Sequence, residues 1–262
     1  MPLRLGATSY VIPGDLMANA RHLAGRVADM QLVLFDLPGG PSNLPTLAQI
    51  DELAAIGRRD GLGYTIHLPA DLPAQPADAP LHPVLSKARD LIYSTLPLEP
   101  HAYVFHLDGM AVRSPATPCA DLRRWQEDAL RTLEFVYGWV GDAQRLALEN
   151  VEGYPLDFYD ALMTAPVVRC VDIGHLWLDG YDALPYLHRW LERTQVIHLH
   201  GLRERDHCSL IHTPPEHLDP LVDLLLRCNF AGVVTLEVFE DDFDTSLQAV
   251  RASIQRCGKR RD

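Results

Sequence analysis

Along this chain, short apolar or β-branched runs alternate with longer stretches whose leucines and alanines recur at helical spacing. That is the pattern of repeated strand–helix units around a parallel sheet. Eight runs have the length of barrel strands: residues 3–9, 32–36, 63–68, 102–107, 145–149, 168–172, 195–200 and 233–238. Between the second and third, Thr46 and Gln49 have the spacing of a capping box and Gly61 follows as a helix stop. Further helices are expected to begin near Leu16, Pro83, Asp121, Leu156, Asp182, Pro215 and Phe243. Eight strands with eight helices predict one α/β domain over 1–262, a (β/α)8 TIM barrel. Segments 69–83 and 108–119 read as loops over the face where strands end, and the basic 258–262 stretch as a frayed end.

Composition narrows the function classes. Hydrophobic residues make up 47% and charged residues 22%, enough apolar surface for a sizeable core. No basic leader precedes an apolar run and no window approaches the length of a membrane span, so a cytoplasmic protein without a membrane partner is expected. The 5 cysteines form no CxxC pair and their odd number speaks against a disulfide framework. A formal net charge of −12 opposes nucleic-acid binding, which depends on Lys and Arg neutralising phosphates. The expected partner is a small-molecule substrate; the oligomeric state stays open.

Ionisable residues recur at the ends of runs that otherwise read as buried strands: His67, His106, Glu149, Asp172, His198 or His200, and Glu237. Strand ends of a barrel share one mouth, and burying unpartnered carboxylates and imidazoles costs roughly 2–7 kcal/mol for each polar group. Coordination of divalent ions removes that cost, and the mixture of nitrogen and oxygen donors suits zinc, manganese or iron better than calcium. His175, three residues after Asp172, and the Asp206–His207 pair extend the cluster. His198 and His200 share a strand face, so one can be a ligand while the other supports it by hydrogen bonding. Arg203 and Arg205 are candidate phosphate contacts, and Tyr10 and Asp36 candidate substrate contacts near the mouth.

With IHLP around His67, FHLDG around His106, LENVEG around Glu149, VDIGH around Asp172 and His175, and TLEV around Glu237 in view, the chain resembles the xylose isomerase-like barrels. These include sugar isomerases and the endonuclease IV group. HLHG best matches the seventh-strand ligand at His198, with His200 the alternative, and RDHCSL matches a third-metal ligand at His207, although the family's Asp two residues earlier is Arg205 here. At a finer level LGATSYVIP, LVLFDLPGGPSNLP and VIHLHGLRERDH resemble cobamide-remodelling phosphodiesterases of the CbiR type. That likeness implies hydrolysis of a phosphoester in the nucleotide loop of a corrinoid. Glu149 would bridge two ions, His67 and His106 completing one site and Asp172, His198 and Glu237 the other. His175, His207 and Asp206 would hold a third ion or steady the leaving group, making Glu149, His175 and Glu237 the catalytic set. The rival expectation is a sugar or polyol isomerase or epimerase with one ion at Glu149, Asp172, His198 and Glu237, and His67 and His106 contacting substrate.

Overall fold

A computed structural model describes residues 3–37 and 39–259. Its strands β1 (Arg4–Thr8), β2 (Asp29–Val33), β3 (Gly63–His67), β4 (Tyr103–Phe105), β5 (Leu146–Glu149), β6 (Val168–Asp172), β7 (Thr194–Leu199) and β8 (Val233–Leu236) pair in parallel, each with the next. Pairing of β8 with β1 closes the barrel. Helices α1 (Leu16–Leu23), α2 (Leu47–Asp60), α3 (Pro83–Thr95), α4 (Cys119–Val140), α5 (Ile173–Leu178), α6 (Ala183–Trp190), α7 (Pro215–Arg227) and α8 (Asp242–Lys259) follow the strands. Local chemistry sets their ends. Thr46 and Gln49 form the reciprocal capping box of α2, Gly61 stops it at φ 69°, and Asp15 and Asp182 cap α1 and α6.

Strand alternation divides the buried residues into two sets. Met30, Leu32, Ile66, Phe105, Leu148, Val171, Ile197 and Leu236 point outward and pack against the helices. Each fully buried side chain of this kind stabilises the fold by about 1.5–3 kcal/mol. Inside the barrel, Ala102, Val104, Ala147, Val168, Cys170 and Val196 make a small apolar filling on the β4–β7 side. Thr8, Gln31, Thr65 and Thr235 make the opposite side polar. The interior is therefore a packed core with polar groups already present beneath the mouth.

Three elements differ from the sequence expectation. Strand β2 begins at Asp29 rather than 32 and ends at Val33, because its inward positions Asp29 and Gln31 are polar and interrupt the apolar run. No α-helix starts near Leu156. A 3-10 turn, Asp160–Thr164, stands there instead, with Phe158 and Tyr159 packed against Trp125 and Tyr154 and with Asp160 held by the buried Arg169 at 2.6 Å. Conversely, β6 runs directly into the short α5, where the sequence pattern indicates only chain leaving the strand. At the C-terminal end α8 continues through Gly258 to Lys259, while 260–262 of the expected frayed stretch lie outside the described residues. Among the described residues no helix is long and apolar enough to cross a membrane.

Candidate metal centre

The strands end at one mouth and carry inward-facing ionisable groups there. Glu149 closes β5, Asp172 closes β6, His198 lies in β7 and Glu237 follows β8. Their ligand atoms all lie within 4.8 Å of one another, and all four residues are buried. His198 Nδ1 sits 2.8 Å from Glu149 Oε1 and 2.9 Å from Glu237 Oε2. Its Nε2 donates to Gln31 Oε1 at 2.8 Å, which leaves Nδ1 facing the carboxylates. Burial alone would lower the His198 pKa, but Cys170, Glu149 and Glu237 outweigh it and hold it well above the ordinary value. Burial likewise favours neutral Glu149, yet His198 and His106 keep its carboxyl well below the usual range.

Asp172 serves two purposes. Oδ1 accepts from the His175 backbone N–H at 2.7 Å and caps α5, while Oδ2 is buried without a hydrogen-bond partner and lies 3.7 Å from His198 Nδ1. An orphaned buried carboxylate oxygen beside two further carboxylates is an unbalanced arrangement. A divalent cation would offset most of it, setting two positive charges among three carboxylates and one neutral imidazole. Asn150 fixes Asp172 from both sides of its peptide, donating to its carbonyl at 2.9 Å and accepting from its N–H at 3.0 Å.

His67 and His106 face the other oxygen of Glu149, with Nε2 atoms 3.3 and 3.1 Å from Oε2. Each ring is oriented from behind, His67 Nδ1 on the Leu68 carbonyl at 2.9 Å and His106 Nδ1 on Asp71 Oδ1 at 3.0 Å. Burial opposes the His106 cation, but Glu149 and Asp71 raise its pKa to about 10. Glu149 is thus shared between two groups that can each hold an ion.

His175, His200 and His207 form a third group. His200 Nδ1 accepts the His207 backbone N–H at 3.0 Å, and its Nε2 lies 3.4 Å from Asp172 Oδ1. Of the two β7 histidines, His198 belongs to the four-residue group and His200 to this one, where its buried Nε2 has no hydrogen-bond partner. Gly174 makes the arrangement possible, since a Cβ there would fall on the His200 ring. His175 lies 3.5 Å from Glu152, and His207, in the left-handed region at φ 52°, reaches Asp206 at 3.3 Å and Glu237 at 3.7 Å. Asp206 therefore contacts His207 from outside the group.

The four candidate substrate contacts sit further out. Tyr10 accepts from Asn43 at 2.8 Å, Asp36 pairs with Lys87 at 2.8 Å, and Arg203 is exposed. Arg205 is turned to Asp242 at 3.0 Å and to the carbonyls of Asp206 and His207, so its guanidinium braces the loop. Gln31, Asp71 and Asn150 were absent from the sequence expectation. Asn150 adjoins Glu149 and Asp71 lies in the loop after His67, but Gln31 is 167 positions from His198 and carried no local signal.

No protein-family profile and no curated protein matches the sequence. Solved structures do match. A D-tagatose 3-epimerase-like protein shares 14% identity over 99% of this chain and 100% of its own, with a TM-score of 0.78. L-ribulose 3-epimerase shares 14% over 99% and 97% with a TM-score of 0.70, and endonuclease IV from Thermus thermophilus shares 19% over 97% and 99% with a TM-score of 0.67. The chain has the xylose isomerase-like barrel fold. Sugar epimerases predominate among these neighbours, others being named for D-psicose and a 3-keto-D-glucoside. That corrects the expectation of a cobamide phosphodiesterase. Of the segments behind it, VIHLHGLRERDH reaches the possible metal ligands, while LGATSYVIP and LVLFDLPGGPSNLP run out of β1 and β2 and contribute none of them.

Proposed function

We propose that this chain is a metal-dependent enzyme that isomerises or epimerises a sugar or polyol. The observation that carries the reading is the buried Glu149–Asp172–His198–Glu237 group with its unpartnered Asp172 oxygen. The sugar epimerases among the structural neighbours support it. A divalent ion held there, zinc, manganese or iron by donor type, would polarise a carbonyl and a neighbouring hydroxyl.

The chain's own groups supply the proton chemistry. Epimerisation beside a carbonyl needs a base to remove a proton and an acid to return one on the opposite face. Glu149 and Glu237 reach the His198 nitrogen from two different strands, so they are the pair placed to exchange protons with one carbon from two directions. His67 and His106, less buried than Glu149 and held by Leu68 and Asp71, would orient substrate hydroxyls at the open side of the group. The substrate is a small molecule, and the negative chain disfavours nucleic acid.

Manganese-loaded protein incubated with ketopentoses and ketohexoses in deuterium oxide should place deuterium on the carbon beside the carbonyl, read by NMR. Glu237→Gln should lose that exchange while keeping its circular dichroism. Metal analysis should find about one ion per chain, as a single four-ligand centre requires. Absence of deuterium in every ketose at full metal occupancy would overturn the proposal.

A further inference from the structure

The metal centre does not end at its ligands, because the loop behind His67 has a second face. A cavity of about 420 Å³ opens at the rim of the mouth, lined by Leu37, Leu68, Ala70, Leu72, Val84 and Ala88. Its volume falls in the range of pockets that enclose one small organic group. Residues 68–72 form a wall common to cavity and site. The Leu68 carbonyl accepts from His67 Nδ1, Asp71 accepts from His106 Nδ1, and the Leu72 N–H donates to the His106 carbonyl at 2.9 Å. The residues on either side of Asp71 line the cavity.

The charge at the cavity indicates what it takes. Its charged groups are Lys87 and Asp36, and these satisfy each other at 2.8 Å across its edge. Lys87 keeps the Asp36 carboxyl below its ordinary pKa, so the pair is neutral as a unit. Leu37 stands at the rim, 54% exposed. A free ketose carries no apolar part to occupy it. A larger cavity of about 450 Å³ near Trp177, Tyr181 and His217 has no such loop orienting the histidines of the site.

We infer that the substrate is a keto sugar whose anomeric oxygen carries an uncharged apolar ring, with the ring seated in this cavity and the carbonyl-bearing sugar at the metal centre. The inference rests on the sugar reading above and adds the class of substrate. The loop 68–72 acts as a ruler between the two parts. A substrate is then recognised at one end by its hydroxyl groups and at the other by apolar area withdrawn from water.

Calorimetric titration of the manganese-loaded full chain with methyl β-D-glucopyranoside, 2-naphthyl β-D-glucopyranoside and 2-naphthol tests the assignment. The naphthyl glycoside should bind at least tenfold more tightly than the methyl glycoside. Leu37→Asp and Val84→Asp should each erase that advantage and leave methyl glycoside binding unchanged. Both residues lie away from the metal centre, and an Asp in the first turn of α3 suits the helix dipole. Equal affinity of the two glycosides, or an advantage that survives both variants, overturns the inference whether or not ketoses exchange deuterium. So does light scattering that shows the chain dimerising through this face, with Leu37→Asp returning it to monomer. A naphthyl advantage in the parent chain that both variants lose, without deuterium exchange in any sugar, would uphold the cavity as a ring site and bring down only the epimerase reading.

Discussion

Asp29 lies at the foot of the barrel, and its burial makes a quantitative claim about stability. The side chain is fully buried, Oδ1 has no partner, and Arg4 reaches Oδ2 at 3.3 Å. Burial outweighs Arg4 and raises the carboxyl from 3.8 to about 6. The folded chain therefore binds this proton more tightly than the unfolded chain. Stability from this group is complete below pH 3.8 and is lost as pH rises through about 6. At about 1.36 kcal/mol per pH unit, the full loss is about 3 kcal/mol. Applying the two pKa values at pH 5 and pH 8 places about 1.4 kcal/mol of it between those conditions.

Asp29→Asn removes the titration while keeping the shape. Urea unfolding of chelated wild type and variant at pH 5 and pH 8 gives four free energies. The stability of Asp29→Asn relative to wild type should be about 1.4 kcal/mol greater at pH 8 than at pH 5. Hydrogen bonds lost or gained by the amide cancel in that double difference, as does titration of the metal-centre histidines. A relative stability that does not change with pH would refute the reasoning.

Other consequences follow from the site. Gln31→Leu frees His198 Nε2, so manganese affinity measured by titration should fall about 10- to 100-fold while the fold persists; unchanged affinity would show that Gln31 does not set the imidazole. Gly174→Ala places a methyl group on the His200 ring and should cost about 1–3 kcal/mol in denaturant unfolding; a neutral result would mean the ring moves freely. Manganese at 100 times its dissociation constant should stabilise the chelated chain by about 2.7 kcal/mol in the same assay, and Asp172→Asn should lose most of that gain. His67→Ala should lower deuterium exchange with the metal content unchanged, and loss of the ion instead would move His67 into the metal set.

Much of the barrel was legible in the chain because its signals are local. Runs of apolar residues mark strands, Thr46 with Gln49 and Gly61 bracket α2, and side chains two apart share a strand face. The same alternation, joined to the rule that strand ends share one mouth, places His67, His106, Glu149, Asp172, His198 or His200, and Glu237 at that mouth from spacing, while the set of four came with the family resemblance. The start of β2 was missed because Asp29 and Gln31 face a polar interior and break the apolar run. The helix expected near Leu156 failed because Arg169 and an aromatic cluster hold that segment as a turn, which no local periodicity records.

Sequence by itself determined the fold class and the residues at the strand ends, since both depend on spacing along one element. Only barrel closure decided which nitrogen of each histidine faces the centre, because Gln31 lies across the barrel from His198 and Asp71 comes from the loop beside His106. It also decided which group of possible ligands each β7 histidine joins, that Arg205 braces Asp242, and that an apolar cavity backs onto the loop of His67. These are contacts between distant segments. Hydrogen bonds and burial at such contacts depend on angstrom-scale placement, which spacing within any one strand or helix does not encode.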